Sequence, residues 1–270
     1  MKVTIAVVQF KISHLQPKEN FTNIEYFIKK AKKQSANVII FPEDCVTGSI
    51  FGDTNWLDTN GKYQKSFQNL AKKYSIDIVT GSYMESTING NFNTSYYIND
   101  HGEILGKYQK NNLYLSERNF LTQGKEIAVF DTNYGRVGIV ICWDILFPEL
   151  FQRMAQAGVQ IIYCPSYWYH EIAKENLQLN KDSEIKHIDA LCISRAVENN
   201  IIFIYANAAG VIKYKQNQSD TLIGHSQITL PFYGPIKKLK RNHQSMFIKT
   251  IDISILKQTN QIYKLRNNSN

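Results

Sequence analysis

Short apolar runs alternate with amphipathic stretches along the whole chain. Residues Lys2 to Gln9 alternate in the two-residue period of a strand, and Val38 to Phe41 form a buried strand closed by Pro42. Between them, Phe21, Ile24, Phe27, Ile28 and Ala31 fall at helical spacing with lysines opposite, which predicts a helix over Asn20 to Lys33. A second helix fits Tyr63 to Tyr74, and a strand follows from Ile76 to Thr80, ending at Gly81. Thr94 to Ile98 and Ile104 to Tyr108, separated by Asp100-His101-Gly102, predict a hairpin. Ile127 to Phe130 and Arg136 to Ile141 make the next strand pair.

The second half repeats this rhythm. A helix over Phe147 to Ala157 is capped by Gly158, and a strand over Gln160 to Tyr163 is stopped by Pro165. A helix from about Ser183 to Asn199 presents Ile185, Ile188, Leu191 and Cys192 on one face, and Ile201 to Tyr205 is a buried strand. Strands near Leu222 to Thr229 and Met246 to Ile251 bracket the turn between Pro231 and Pro235. Strands and helices alternate with no linker-like tract, so the expectation is one α/β domain over 1–270 with a short Asn-rich C-terminal tail at about 264–270, of which Asn267 to Asn270 is expected to fray.

Composition narrows the class. The chain is 43% hydrophobic and 20% charged, as in a globular protein with a sizeable core, and no run of eighteen apolar residues predicts a membrane span. The N-terminus reads as a first strand rather than a signal peptide. Cysteines 45, 142, 164 and 192 have no paired spacing, so they are expected to be reduced thiols in a cytoplasmic protein. The net charge of +8 is scattered; its densest run, Lys237-Lys238-Leu239-Lys240-Arg241, fits a solvated hairpin edge, and no nucleic-acid partner is expected.

The stretch from Gly135 to Leu150 carries the chemistry. A β-branched run, Val137 to Ile141, stops at Cys142, and Pro148-Glu149 suit a helix first turn. A cysteine at a sharp strand-to-helix turn is held rigidly beside loose backbone N–H groups, as a nucleophile requires. Cys142 would need a base and an oxyanion stabiliser. Glu43 and Lys110 each follow a predicted strand, as Cys142 does, and ligands of α/β sheets bind at strand carboxyl ends. No histidine occupies such a place. Cys45, Cys164 and Cys192 fit packing, Arg195 and Glu198 fit a structural pair, and His170 and His225 lack metal-ligand spacing, so no metal is expected. Tyr167, Trp168 and Tyr169 follow the strand end at Pro165 and are candidates for lining a pocket, a position that ordinary lid packing also fits.

These segments resemble the nitrilase, or carbon–nitrogen hydrolase, superfamily. Phe41-Pro42-Glu43 with Thr47-Gly48 resembles its base motif, Gly106-Lys107-Tyr108-Gln109-Lys110 with Leu113-Tyr114 its lysine motif, and Ile141-Cys142-Trp143-Asp144 with Phe147-Pro148-Glu149-Leu150 its nucleophile motif. Further matches are Ser194 to Asn199, Ala206 to Gly210 and Gly224 to Ser226. The chain departs from the family at Gln109, Asn112 and Gln123, where Arg, His and Pro are common.

The resemblance implies a four-layer α-β-β-α sandwich and a cysteine hydrolase of non-peptide C–N bonds that needs no cofactor. It assigns Glu43 as general base, Lys110 as oxyanion stabiliser, Cys142 as nucleophile, Glu117 as a substrate-positioning glutamate and the Trp143 N–H as the backbone half of the oxyanion hole. It further implies a homodimer or larger assembly. The leading expectation is an amidase of the omega-amidase or aliphatic type acting on a small amide. An N-carbamoyl-amine hydrolase is the alternative within the same chemistry, and a catalytically silent binding module the alternative outside it. A true nitrilase is disfavoured because such enzymes usually carry Glu where Asp144 stands.

Overall fold

The computed structural model describes residues 1–173, 178–214 and 219–267. Its strands form a large curled sheet of two halves. In the first, β1 (Lys2–Lys11) lies between antiparallel β15 (Ser245–Asp252) and parallel β2 (Val38–Ile40), and β2 continues to β3 (Asp77–Val79). β5 (Gly90–Ile98) then pairs antiparallel with β3, β4 (Tyr83–Thr87) and β6 (Ile104–Gln109). In the second, the β7 (Ala128–Thr132) and β8 (Gly135–Ile139) hairpin leads to parallel β9 (Ile161–Ser166) and β10 (Ile202–Ala209). Antiparallel β13 (Gln227–Leu230) and β14 (Gly234–Lys238) complete it. Among the described residues the strand ladder connects the halves where β1 and β10 pair in parallel, Phe10 with Ala208 and Lys11 with Ala209.

The two-residue period of β1 explains the layering. Val3, Ile5 and Val7 point into a core shared with Val137, Ile139 and Ile161 of the second half. Ala6, Val8 and Phe10 point the other way, onto Ile24, Phe27 and Ile28 of α1 (Pro17–Lys33) and Phe67 of α2 (Lys62–Tyr74). On the opposite face, α3 (Pro148–Gln156) buries Leu150, Phe151 and Met154, and α4 (Ser183–Glu198) buries Ile188 and Cys192. Each such side chain removed from water contributes on the order of 1.5–3 kcal/mol. Helices, sheet, sheet and helices thus stack as the expected four-layer α-β-β-α sandwich.

Departures from the pattern have local causes. β4 and the start of β5 form a hairpin around Ile88 and Asn89, with Glu85 opposite Phe92; their polar residues hid the strands. The stretch expected as one strand from Leu222 to Thr229 is broken, because Gly224 and His225 adopt φ of 67° and 58° and turn the chain before β13. Ahead of it, β11 (Val211–Lys213) and β12 (Ser219–Thr221) make a separate ribbon. Beyond β15, α5 (Ile255–Tyr263) docks by burying Leu256 and by the Thr259 hydroxyl donating to Asn200 Oδ1 at 2.6 Å. Leu265–Asn267 forms a 3-10 turn, and Arg266 donates to the carbonyl oxygens of Asn199 and Val159. The rest of the Asn-rich tail lies outside the described residues. None of the described helices is long and apolar enough to cross a membrane.

Candidate active site

β2 stops because Pro42 has no N–H to continue the ladder. Gly81, at φ 72°, lets the chain cross there: a Cβ at that position would lie 2.1 Å from Pro42 O. Glu43 is delivered into the interior, 3% exposed. Lys110 leaves the end of β6, its N–H donating to Asn93 O and its carbonyl accepting from Gly124 N, both at 2.9 Å. Glu117 opens a 3-10 turn (Glu117–Asn119) a few residues later.

These three side chains meet. The buried Lys110 Nζ donates to Glu43 Oε1 and to Glu117 Oε2, each at 2.8 Å. Asn93 Nδ2 bridges the same carboxylates, 2.9 Å from Glu43 Oε1 and 3.0 Å from Glu117 Oε1. Backbone N–H groups complete the cluster, from Tyr167 to Glu43 Oε2 at 2.9 Å and from Tyr114 to Glu117 Oε2 at 2.7 Å. Burial works against the Lys110 ammonium, but the charges of Glu117 and Glu43 outweigh it and hold its pKa well above the ordinary value. Of its three N–H donors, two are committed and one remains for the adjoining cavity.

Cys142 sits on the turn that the sequence implies. Its φ is 45°, a left-handed conformation that costs an L-residue on the order of 1–2 kcal/mol. The 3-10 turn Cys142–Leu146 starts at this residue, so the Trp143 N–H stands in a first turn, without an intrahelical acceptor. Asp144 holds the turn, its Oδ2 accepting from Ile141 N at 2.9 Å and from the Tyr108 hydroxyl at 2.8 Å. Burial pushes the Cys142 thiol well up and the Glu43 carboxylate adds to this, while Lys110 and Ser166 pull the other way without reversing it. Glu43 and Cys142 line the same cleft.

Glu43, Lys110, Glu117 and Cys142 open on one cleft, with Trp143, Tyr167 and Tyr169 in its wall. Trp168 does not line it, which corrects one expectation. The alternation of the extended segment sends its indole behind Trp143, stacked at 5.4 Å and 22°, with Nε1 donating to Glu184 Oε2 at 2.8 Å. Arg195 and Glu198 form an ion pair at 2.5 Å, with Arg195 Nε donating to Ile145 O, so this pair braces the cysteine turn from behind. Cys45, Cys164 and Cys192 are free and buried. No group of three or more His, Cys, Asp and Glu able to hold a metal occurs among the described residues.

Sequence reasoning missed Asn93, Asp144 and Asp44. Asn93 is fully buried between the two glutamates, but in the sequence it stands among the polar residues Asn91, Thr94 and Ser95 of β5, and nothing there singles it out. Asp144, adjacent to the cysteine motif, could have been read as the clamp of its turn.

With this geometry in view, the comparisons with known proteins are decisive about kinship. The carbon-nitrogen hydrolase family model matches residues 4–261. A 2-oxoglutaramate amidase of Bacillus subtilis is 30% identical over 86% of this chain and 84% of its own. An N-carbamoylputrescine amidase of rice (Oryza sativa subsp. japonica) is 27% identical over 96% of this chain and 88% of its own. The crystal structure of a carbon-nitrogen hydrolase from Helicobacter pylori G27 superposes with a TM-score of 0.89 at 19% identity, covering 99% of this chain and 95% of that one. The buried Glu-Lys-Glu cluster and the strained cysteine turn are thus set in a fold and a sequence that share one ancestry, and the chain belongs to the carbon–nitrogen hydrolase family.

Proposed function

We propose that this protein hydrolyses the C–N bond of a small linear amide through a thioester on Cys142. The observation that carries the reading is the shared cleft, in which a thiol on a strained turn meets a buried carboxylate and a doubly paired ammonium.

Glu43 takes the proton of the Cys142 thiol as the sulfur attacks the amide carbonyl. The resulting oxyanion accepts from the uncommitted Lys110 N–H and the Trp143 N–H. Collapse breaks the C–N bond, and the proton on Glu43 passes to the leaving nitrogen, which departs as ammonia or an amine. Water then attacks the thioester carbonyl, giving its proton to Glu43. The C–S bond breaks, the acid leaves, and the proton returns to sulfur. Glu117 orients Lys110 throughout.

A second reading, hydrolysis of an N-carbamoyl amine by the same steps, is supported by the similarity to the rice enzyme named for that reaction. The test is ammonia release from purified protein on linear amides and N-carbamoyl amines, with mass spectrometry of the acylated intermediate. The expected result is release that disappears in Cys142→Ala, together with an adduct on the peptide containing Cys142. Undiminished release by Cys142→Ala would overturn the reading.

A further inference from the structure

Two carboxyl groups in the cleft, those of Asp44 and Asp220, have no role in these steps. Asp44 follows Glu43 directly, adopts φ 55° and lines the cleft, yet it is 5% exposed and its Oδ1 has no hydrogen-bond partner among the described residues. Leaving a buried acceptor unpaired costs on the order of 1–3 kcal/mol, and such a group in a cavity wall is where a ligand donor belongs. Burial, and then the charges of Glu43 and Glu117, push the Asp44 carboxyl well up in pKa, a cost that a cation bound beside it would offset.

The charge around it has one sign. Among the described residues, four carboxyl groups line the cleft, those of Glu43, Asp44, Glu117 and Asp220, against one lining cation, Lys110, which is already paired twice. Asp220 is held at the cleft wall by the Tyr214 hydroxyl at 2.6 Å and the Tyr167 hydroxyl at 3.4 Å. Among the described lining residues no cation other than the paired Lys110 is present to receive a substrate carboxylate, and two carboxyl groups lie outside the Lys110 cluster.

We propose that Asp44 and Asp220 form a subsite for the positively charged end of the substrate, so that the molecule hydrolysed is an amide or ureide carrying a primary amine rather than a second carboxylate. This rests on the amide-hydrolase reading above and narrows it. The arrangement selects by attraction to the ammonium and by repulsion of the carboxylate together.

The test is kcat/KM for ammonia release from linear amides of four, five and six carbons, each ended by a methyl group, a primary amine or a carboxylate. At one length or more, the amine-ended amide should exceed its methyl-ended counterpart by at least about 30-fold, the scale of one buried charge pair, with the carboxylate-ended amide slowest. Asp44→Asn, whose side chain keeps the shape and tolerates a left-handed backbone, should collapse that ratio, and Asp220→Asn should reduce it separately. Equal or faster turnover of the methyl- or carboxylate-ended amides overturns the subsite and leaves the hydrolase reading standing. Calorimetric binding of the same compounds to Cys142→Ala tests the subsite independently of turnover. If nothing is hydrolysed, the hydrolase reading fails, while the subsite stands if amine-ended amides bind tighter than methyl-ended ones and falls if they do not.

Discussion

Asp144 takes two hydrogen bonds from one partner: Asn112 donates its backbone N–H to Oδ1 at 2.8 Å and its side-chain Nδ2 to the same oxygen at 2.9 Å. The other oxygen is held by Tyr108 and Ile141. A single buried carboxylate therefore ties the loop that carries Lys110 to the turn that carries Cys142. Asp144→Ala strands these donors and should destabilise the protein by about 3 kcal/mol, lowering Tm by about 6–12 °C. Asn112→Ala removes only the side-chain bond and should cost about 1 kcal/mol. Thermal melts of the two variants check the order, and equal melting temperatures would refute it.

Lys110 separates two carboxylates that cannot both stay charged and buried without it. Lys110→Met should abolish ammonia release and cost about 3–5 kcal/mol in stability, the penalty for breaking a buried pair. Glu117→Gln keeps an acceptor toward Lys110 and Tyr114, so its rate loss should be smaller than that of Glu43→Gln, which removes the base. Single-turnover kinetics on the three variants rank these roles.

The left-handed backbone at Cys142 makes a prediction opposite to intuition. Both Cys142→Ala and Cys142→Gly should be inactive, yet the glycine variant should be the more stable by about 0.5–1 kcal/mol, because it relieves the strain that alanine keeps. Urea unfolding of the pair measures the difference. An alanine variant as stable as the glycine one would show that the turn is unstrained.

Gly81→Ala places a Cβ against Pro42 O and pushes the Glu43 loop outward. A loss of more than about 2 kcal/mol is expected, with a fall in kcat that persists at temperatures where the variant is fully folded.

Asp77 gives the fold a pH signature away from the site. Burial pushes its carboxyl up to about 6, although the Tyr97 hydroxyl donates to it at 2.6 Å. The folded chain thus holds this proton more tightly than the unfolded one, for which the value is 3.8. The stabilising contribution is complete below that value and is lost as pH rises through about 6, amounting to about 3 kcal/mol. Asp77→Asn should flatten the pH dependence of the urea midpoint between pH 4 and 6.5, and an unchanged slope would contradict the assignment.

Family membership was legible in three short motifs, because a chemical role demands particular residues at strand ends. Where β1, β2 and α1 run follows from apolar periodicity, since each buries one or both faces. The hairpin of β4 and β5 was not legible, for its partners across the ladder include Glu85, Asn91 and Asn93, and only pairing reveals which face each takes. The same limit applies to Asn93 and Asp44, whose importance lies in what surrounds them. Trp168 shows the converse: its neighbours Tyr167 and Tyr169 reach the cleft, and the alternation of side chains along an extended segment turns the residue between them away from it.

Among the described residues the strand ladder joins the two halves of the sheet at two residue pairs of β1 and β10, yet the site draws on both, Glu43 and Lys110 from one and Cys142 and Tyr167 from the other. A chain with one half assembled thus carries a thiol without a base or a base without a thiol. Packing of the two halves against each other is thus what brings thiol, carboxylate and ammonium into one cleft.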